Sequence, residues 1–309
     1  MQQPDIDRWL ATPGARLLQR GDAAYPAQLA ALADAPPRLF ARGDVGLLRR
    51  PQIAVVGSRH PTAAGRSLAA RISADLVAHG LVITSGLARG IDAAAHEAAL
   101  NAAGRTIAVC GTGLDTCYPS EHRALFERIA HEGLLLSEFP PGTPPRAAHF
   151  PQRNRVISGL ARGVLVVEAA ADSGSLITAR HALAQGREVF AVPGSPLNPL
   201  AAGCLELLRQ GAVLVRNSAD ILPEIGVSIE ENIEKDQRVD LSIGALDGAP
   251  RLDKEYEMLL DALGFEPSTV DDLVERTGLG AGSVASMLLI LELEGRVEAR
   301  PGALYNRIA

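Results

Sequence analysis

No uninterrupted apolar run in this sequence approaches the roughly 18 residues that a membrane-spanning helix requires, so no membrane span is expected. The start, Met1-Gln2-Gln3-Pro4-Asp5, has no basic segment leading into an apolar core. A signal peptide is therefore not expected, and the expected location is cytoplasmic. Cysteine is scarce: Cys110, Cys117 and Cys204 are odd in number and show no C-x-x-C spacing. Reduced thiols are expected, with no structural metal and no cofactor. Lysine is scarcer still, present only at Lys235 and Lys254. The chain also lacks a Gly-x-Ser-x-Gly elbow, a His-Glu-x-x-His helix and a Gly-x-x-x-x-Gly-Lys-Ser/Thr loop. The best-marked hydrolase, zincin and NTPase chemistries are thereby excluded, and enzymatic activity is not expected.

What charge there is has a pattern. The net charge of −6 argues against a uniformly basic nucleic-acid coat. Residues 51–225 hold 15 arginines against 14 acidic side chains, whereas residues 251–309 hold 6 basic and 11 acidic ones. A nucleic-acid contact would therefore belong to the middle region and rest on a local arginine cluster. The candidate is Phe150-Pro151-Gln152-Arg153-Asn154-Arg155, followed by the apolar-periodic Val156, Ile157 and Leu160. The pattern places two guanidiniums and an amide at the expected mouth of a helix, where unpaired N–H groups and the positive dipole end favour anions. Arg146 adds a charge upstream, His149 a donor, and Phe150 a ring on which a base can stack. The plainer alternative is a loop-to-helix junction whose arginines are solvated or paired with carboxylates.

Residues 1–50 carry helix-like pieces broken by Pro13, Gly14, Pro26 and Pro36-Pro37, and read as a lead-in packing on the main domain. From residue 51 to 226, β-branched runs alternate with Ala- and Leu-rich helical segments. The runs start at Ile53, Leu81, Thr106, Leu134, Val164, Val189 and Ala212, and they are apolar throughout rather than alternating. Such strands are buried on both faces, which predicts a doubly wound, mostly parallel α/β sheet of Rossmann-like type. Residues 227–250 are acidic and aperiodic, and read as a linker. Residues 251–309 predict three helices and a β-hairpin, a winged helix. Its groove-entering helix carries no Lys or Arg between Gly278 and Gly295, which disfavours duplex DNA and favours a protein contact or spacing role.

Each strand of the middle region ends in a marked turn. These are Gly57-Ser58-Arg59, then Ser85-Gly86-Leu87-Ala88-Arg89-Gly90-Ile91-Asp92, Gly111-Thr112-Gly113-Leu114-Asp115, Glu168 with Ser173-Gly174-Ser175, and Pro193-Gly194-Ser195. In an open parallel sheet all of them lie along the carboxyl edge, where ligands bind. Glycines and small hydroxyls let backbone approach a phosphate closely.

The ordered set of these turns, with Tyr118-Pro119, Phe150 to Arg155 and Ser173-Gly174-Ser175-Leu176-Ile177-Thr178-Ala179, resembles the DprA/Smf family of DNA-processing proteins. The resemblance runs from about Gly21 to Ala309. It implies an extended Rossmann domain that binds and protects single-stranded DNA, forms a homodimer and loads the RecA recombinase during natural transformation. Many members carry an N-terminal SAM-like domain, and with only about 20 residues before the shared region that domain is expected to be truncated or absent.

By this resemblance Arg59 is the first phosphate ligand, its alternative being a helix cap or a bridge to Glu168. Arg146, Arg153, Asn154 and Arg155 follow. Arg153 and Arg155 are two apart, so one faces the groove more easily while the other pairs internally. Phe150 stacks a base or belongs to the core. Gly57, Ser58, Ser85, Gly86, Gly90, Gly113, Ser173, Gly174 and Ser175 supply backbone amides and hydroxyls. Asp92 and His96 stand four apart, but read as a helix-start residue and a packing residue. A rival reading is a nucleotide-processing Rossmann enzyme similar to LOG-type phosphoribohydrolases, using Glu168 and Ser173 to Ser175. The chain lacks that family's Pro-Gly-Gly-x-Gly-Thr turn. A duplex-binding regulator acting through the winged helix is opposed by that domain's acidity.

Overall fold

The computed structural model describes residues 3–226, 254–263 and 267–308. The 227–250 linker of the sequence reading lies outside the described residues. The chain divides into two units, each described by itself.

The larger unit is a nine-stranded sheet. Its strands are β1 (Ala15–Gln19), β2 (Arg38–Gly43), β3 (Gln52–Gly57), β4 (Val82–Ser85), β5 (Thr106–Val109), β6 (Leu134–Ser137), β7 (Gly163–Val167), β8 (Glu188–Ala191) and β9 (Val213–Leu214). They lie in the order β1-β2-β6-β5-β4-β3-β7-β8-β9. From β6 to β9 every pairing is parallel, and β1 and β2 extend the sheet antiparallel beyond β6. The fold is therefore the mostly parallel, Rossmann-like α/β sheet that the seven apolar runs predict. Alternate residues of each strand feed opposite cores. Ala54, Val56, Ile107, Val109, Val164 and Val166 pack on one face, while Ile53, Val55, Ile83, Leu165 and Val167 pack on the other. Both faces are covered, as continuous apolar strands require.

The segment before residue 51 is more sheet-like than its proline breaks suggest. Its helices, α1 (Gln3–Leu10) and α2 (Ala27–Ala30), flank β1 and precede β2, and Phe40 on β2 pairs with Ser137 on β6. Polar residues hide these strands: the edge strand β1 mixes exposed Arg16 and Gln19 with buried Ala15 and Leu18, and β2, paired on both sides, has a buried run of only Leu39-Phe40-Ala41 between Arg38 and Arg42.

The crossover helices are α3 (Ala63–Ala78), α4 (Ile91–Asn101), α5 (Arg123–Glu132), α6 (His149–Leu160), α7 (Ser175–Ala184) and α8 (Ala202–Arg209). The chain leaves β3 toward β4 on one side and returns through α6 to β7 on the other. The winding thus reverses between β3 and β7, which opens a crevice beyond their carboxyl ends.

The C-terminal unit contains α9 (Lys254–Leu263), β10 (Ser268–Thr269), α10 (Val270–Thr277), α11 (Ala281–Leu293), β11 (Val297–Arg300) and β12 (Leu304–Arg307). Thr269 and Asp272 form a reciprocal capping box at the start of α10, and Gly278 ends it at φ +70°. The bend between α10 and α11 is 112°. Leu259, Leu263, Leu273, Val284, Leu288 and Leu291 close the core under the hairpin, giving a winged helix. Among the described residues no single helix is long and apolar enough to cross a membrane.

Candidate functional site

The crevice at the β3 and β7 switch point is a cavity of about 690 Å³. Its rim begins at Gly57, where a Cβ would lie 1.9 Å from the Val167 carbonyl, so only glycine lets the two strand ends close. Ser58 then ties three elements together. Its N–H donates to the Glu168 carbonyl at 2.7 Å, its carbonyl accepts from Ile91 N–H at 3.1 Å, and its hydroxyl accepts from His60 N–H at 3.1 Å. Arg59 follows, exposed and lining the cavity.

The opposite wall comes from α6 and the segment before it. His149 packs its ring on Phe139 with centroids 4.1 Å apart, and Phe150 lies against Gly111. These contacts start α6 at His149, four residues before Arg153. Pro151 is tolerated there because a first-turn residue needs no N–H bond. The expectation that Arg153, Asn154 and Arg155 stand at the helix mouth is thereby corrected: they sit in its second turn, and the side chains, not free helix amides, provide the donors.

Arg153 forms the floor. It is 5% exposed, donates through Nη1 to the carbonyls of Gly86 and Val109, and lies 5.9 Å from the centroid of the Phe150 ring. Asp92, the one carboxylate among the described lining residues, accepts from Gly86 N–H at 3.0 Å and Ala88 N–H at 3.3 Å. Burial raises the Asp92 pKa, against the pull of Arg153 and of these two amides. Burial likewise lowers that of Arg153, with Asp92 opposing. The far wall is the start of α7, where the Ser173 and Ser175 hydroxyls are 2.7 Å apart and Asn154 donates to the Gly174 carbonyl at 3.3 Å.

Arg59 and Arg146 are both exposed, and their guanidiniums make no hydrogen bond or ion pair with any described residue. Together with Arg153 they outnumber the single carboxylate, so the crevice is cationic within an acidic chain. Such an arrangement suits anionic oxygens and ring-stacked bases, and the described residues display no base-reading set of donors and acceptors.

The family model for DNA recombination-mediator protein A matches residues 16–226, and that for the DprA winged helix domain matches residues 245–303. Protein Smf of Escherichia coli is 43% identical over 97% of this chain and 79% of its own length. The chain belongs to the DprA/Smf family. The DNA processing protein DprA of Streptococcus pneumoniae is 49% identical over 66% of this chain and 72% of that protein. Its crystal structure superposes with a TM-score of 0.68, at 45% identity, over 72% of this chain and 78% of that one. DprA of Helicobacter pylori, whose structure was described for its single-stranded DNA binding mode, superposes with a TM-score of 0.62 at 31% identity, over 70% and 95% of the two chains.

Within this DprA/Smf fold the residues singled out in the sequence divide into two groups. Gly57, Ser58, Arg59, Arg146, Phe150, Arg153, Asn154, Ser173, Gly174 and Ser175 all line the crevice. Ser85, Gly86, Gly90, Gly113 and Arg155 do not line it, and act behind it. Ser85 donates to the Val55 carbonyl at 2.6 Å inside the sheet. Gly86 lies under the Arg153 guanidinium, Gly90 at φ +76° starts α4 against Ser58, and Gly113 fits beneath Pro140. Arg155 turns away to Glu138 at 2.6 Å and Asp34 at 3.7 Å. His96 stays buried on Thr106. Tyr118, met in the sequence only as part of the Tyr118-Pro119 turn and not as a site residue, joins the lining, 48% exposed and with its ring 5.5 Å from that of Phe150. Its signal was the Tyr118-Pro119 turn after Gly113, an aromatic in a loop with no periodic partner.

Proposed function

We propose that this DprA/Smf protein binds single-stranded DNA in the switch-point crevice and protects it. We further infer that it acts in the cytoplasm as a homodimer that loads RecA during natural transformation. The observation that carries the binding step is the pair of guanidiniums, Arg59 and Arg146, which make no ion pair with any described residue and line a cavity together with Arg153, Phe150 and Tyr118. Phosphates bind the arginines and bases rest on the rings, so binding is sequence-tolerant and salt-sensitive. The family's description as a recombination mediator supports the RecA step. A binding role is favoured over catalysis because Asp92 is held by two backbone amides and His96 lies outside the cavity lining.

Binding of a fluorescent single-stranded oligonucleotide, with duplex as competitor, tests this over a salt series. Wild type is expected to prefer the single strand. The double variant Arg59→Ala with Arg146→Ala is expected to bind at least tenfold more weakly, with a salt slope lower by about 1.4, roughly 0.7 per lost phosphate contact. Unchanged affinity in the double variant would remove the crevice from consideration. For the second step, the protein is expected to shorten the lag of RecA filament formation on strands coated with single-strand-binding protein. An unaltered lag would confine the protein to binding.

A further inference from the structure

Helix α11 is apolar around most of its circumference. Val284, Met287, Leu288 and Leu291 face the winged-helix core and are buried. A second stripe points outward: Ala285, Ser286, Leu289, Ile290 and Leu293 are all exposed, with Leu289 at 57%, Ile290 at 42% and Leu293 at 81%. Their spacing of i, i+1, i+4, i+5 and i+8 keeps them on one face over two turns. Solvent-facing positions of a surface helix normally carry charge, and clustered exposed leucines mark a contact surface. This is the same face that a duplex-binding winged helix inserts into the major groove, and here it offers no Lys, Arg, Asn or Gln to base edges or phosphates.

The surrounding charge specifies the occupant. Glu292 and Glu294 flank Leu293, and neither makes an ion pair with any described residue. Of the domain's described arginines, Arg300 pairs with Glu298 at 3.4 Å, Arg307 with Asp261 at 3.8 Å and Arg276 donates to the Ala262 carbonyl at 3.1 Å, while Arg296, beyond the helix end, makes no ion pair with Glu292 or Glu294. A second copy of this face would set like charges against each other, and an anionic lipid surface or a phosphate backbone would be repelled. The small side chains Ala285 and Ser286 at one end leave room for close approach.

We propose that the exposed face of α11 docks an amphipathic helix of a protein partner, one whose apolar stripe covers Leu289, Ile290 and Leu293 and whose flanking Lys or Arg residues meet Glu292 and Glu294. The mode is helix against helix, read by apolar anchors at helical spacing, with the acidic pair selecting partner and direction.

The test uses the full chain and three fluorescein-labelled synthetic 18-residue peptides: an amphipathic Leu/Lys helix, the same helix with Glu for Lys, and a scrambled Leu/Lys sequence without an apolar stripe. The Leu/Lys helix is expected to bind saturably at one per chain, at least tenfold more tightly than either control. Leu289→Asp with Leu293→Asp is expected to lose that binding tenfold or more while leaving the thermal midpoint in place, since both positions are exposed. Glu292→Lys with Glu294→Lys leaves the apolar stripe intact and is expected to exchange the preference toward the Glu helix. Equal binding of the scrambled peptide, or full binding by the Leu289→Asp, Leu293→Asp variant, would overturn the proposal. So would sedimentation showing self-association that this variant dissolves, because the face would then belong to a second copy. Duplex binding lost in the same variant would overturn it as well.

Discussion

Asp92 and Arg153 meet through a single residue: the N–H of Gly86 donates to Asp92 Oδ2 at 3.0 Å, and the carbonyl of Gly86 accepts from Arg153 Nη1. The crevice floor is thus a rigid chain from α4 through the β4 turn to α6, and Arg153 has a structural duty besides any contact with a ligand. Removing it leaves the Gly86 and Val109 carbonyls without this donor and a buried carboxylate without its nearest cation. Arg153→Ala is therefore expected to cost about 3 kcal/mol in urea unfolding, whereas Arg59→Ala, at an exposed position with no side-chain partner among the described residues, stays within about 0.5 kcal/mol of wild type. Equal stability of the two variants would show that the floor does not depend on Arg153.

Two glycines of the crevice rim make opposite predictions. At Gly57 an added methyl would stand 1.9 Å from the Val167 carbonyl and 2.8 Å from Ile91, both fixed in the sheet and in α4. Gly57→Ala is expected to lower stability by roughly 3 kcal/mol or to prevent soluble expression. At Gly174 nothing lies within 4 Å of the same methyl, and φ is −60°. Gly174→Ala is expected to be neutral or slightly stabilising in the same unfolding measurement, by up to about 1 kcal/mol.

Acid sensitivity follows from His96. The Thr106 hydroxyl donates to the Ile83 carbonyl at 2.7 Å, so it accepts from His96 Nδ1–H at 2.6 Å, and the buried Nε2 is left bare. Burial lowers the imidazole pKa to about 3, with His122 and Arg153 adding repulsion. The unfolded chain, titrating near 6.5, binds this proton first. His96 therefore contributes stability that is present above about pH 6.5 and is lost as pH falls toward 3. Asp92 acts in the opposite sense: its raised pKa removes stability as pH rises through the interval above the usual carboxylate value. Comparing wild type with His96→Gln cancels the Asp92 contribution. Between pH 7 and 4.5 the wild type is expected to lose about 2–3 kcal/mol more than the variant in urea unfolding. Parallel losses would mean that the imidazole is not held neutral.

The legibility of this molecule in its sequence was set by burial. The parallel strands announce themselves because a strand covered on both faces must be apolar at every position, as Val164 to Val167 are. Strands β1 and β2 do not: the edge strand β1 carries Arg16 and Gln19 without cost, and β2, paired on both sides, is apolar only over Leu39 to Ala41, between Arg38 and Arg42. The crevice was legible as a set of turns, because glycines such as Gly57 are required by close backbone approach. Its inner arrangement was legible only in part. Residues two positions apart on a helix diverge by roughly 200°, so Arg153 and Arg155 had to separate, and they do. Which of them faces the cavity depends on Glu138, which sits beside Arg155 through the tertiary fold alone. Tyr118 was hidden for the same reason, its partner Phe150 being far along the chain.

Tyr118 and Phe150 also allow ring contacts to be separated from charge contacts in the proposed strand groove. Their centroids are 5.5 Å apart at 39°, and Tyr118 is nearly half exposed, so the two rings present a tilted platform beside Arg153. A base resting on such a ring contributes about 1–3 kcal/mol and releases no counterion. Tyr118→Ala is therefore expected to weaken single-strand binding by roughly 5- to 100-fold at every salt concentration, leaving the slope of log affinity against log salt unchanged, while Tyr118→Phe retains most of the affinity. The arginine variants are expected to do the reverse, flattening the slope as they weaken binding. A Tyr118→Ala protein with wild-type affinity would leave the strand held by its backbone alone, and one with a flattened slope would mean that Tyr118 acts by positioning the neighbouring arginine rather than by stacking.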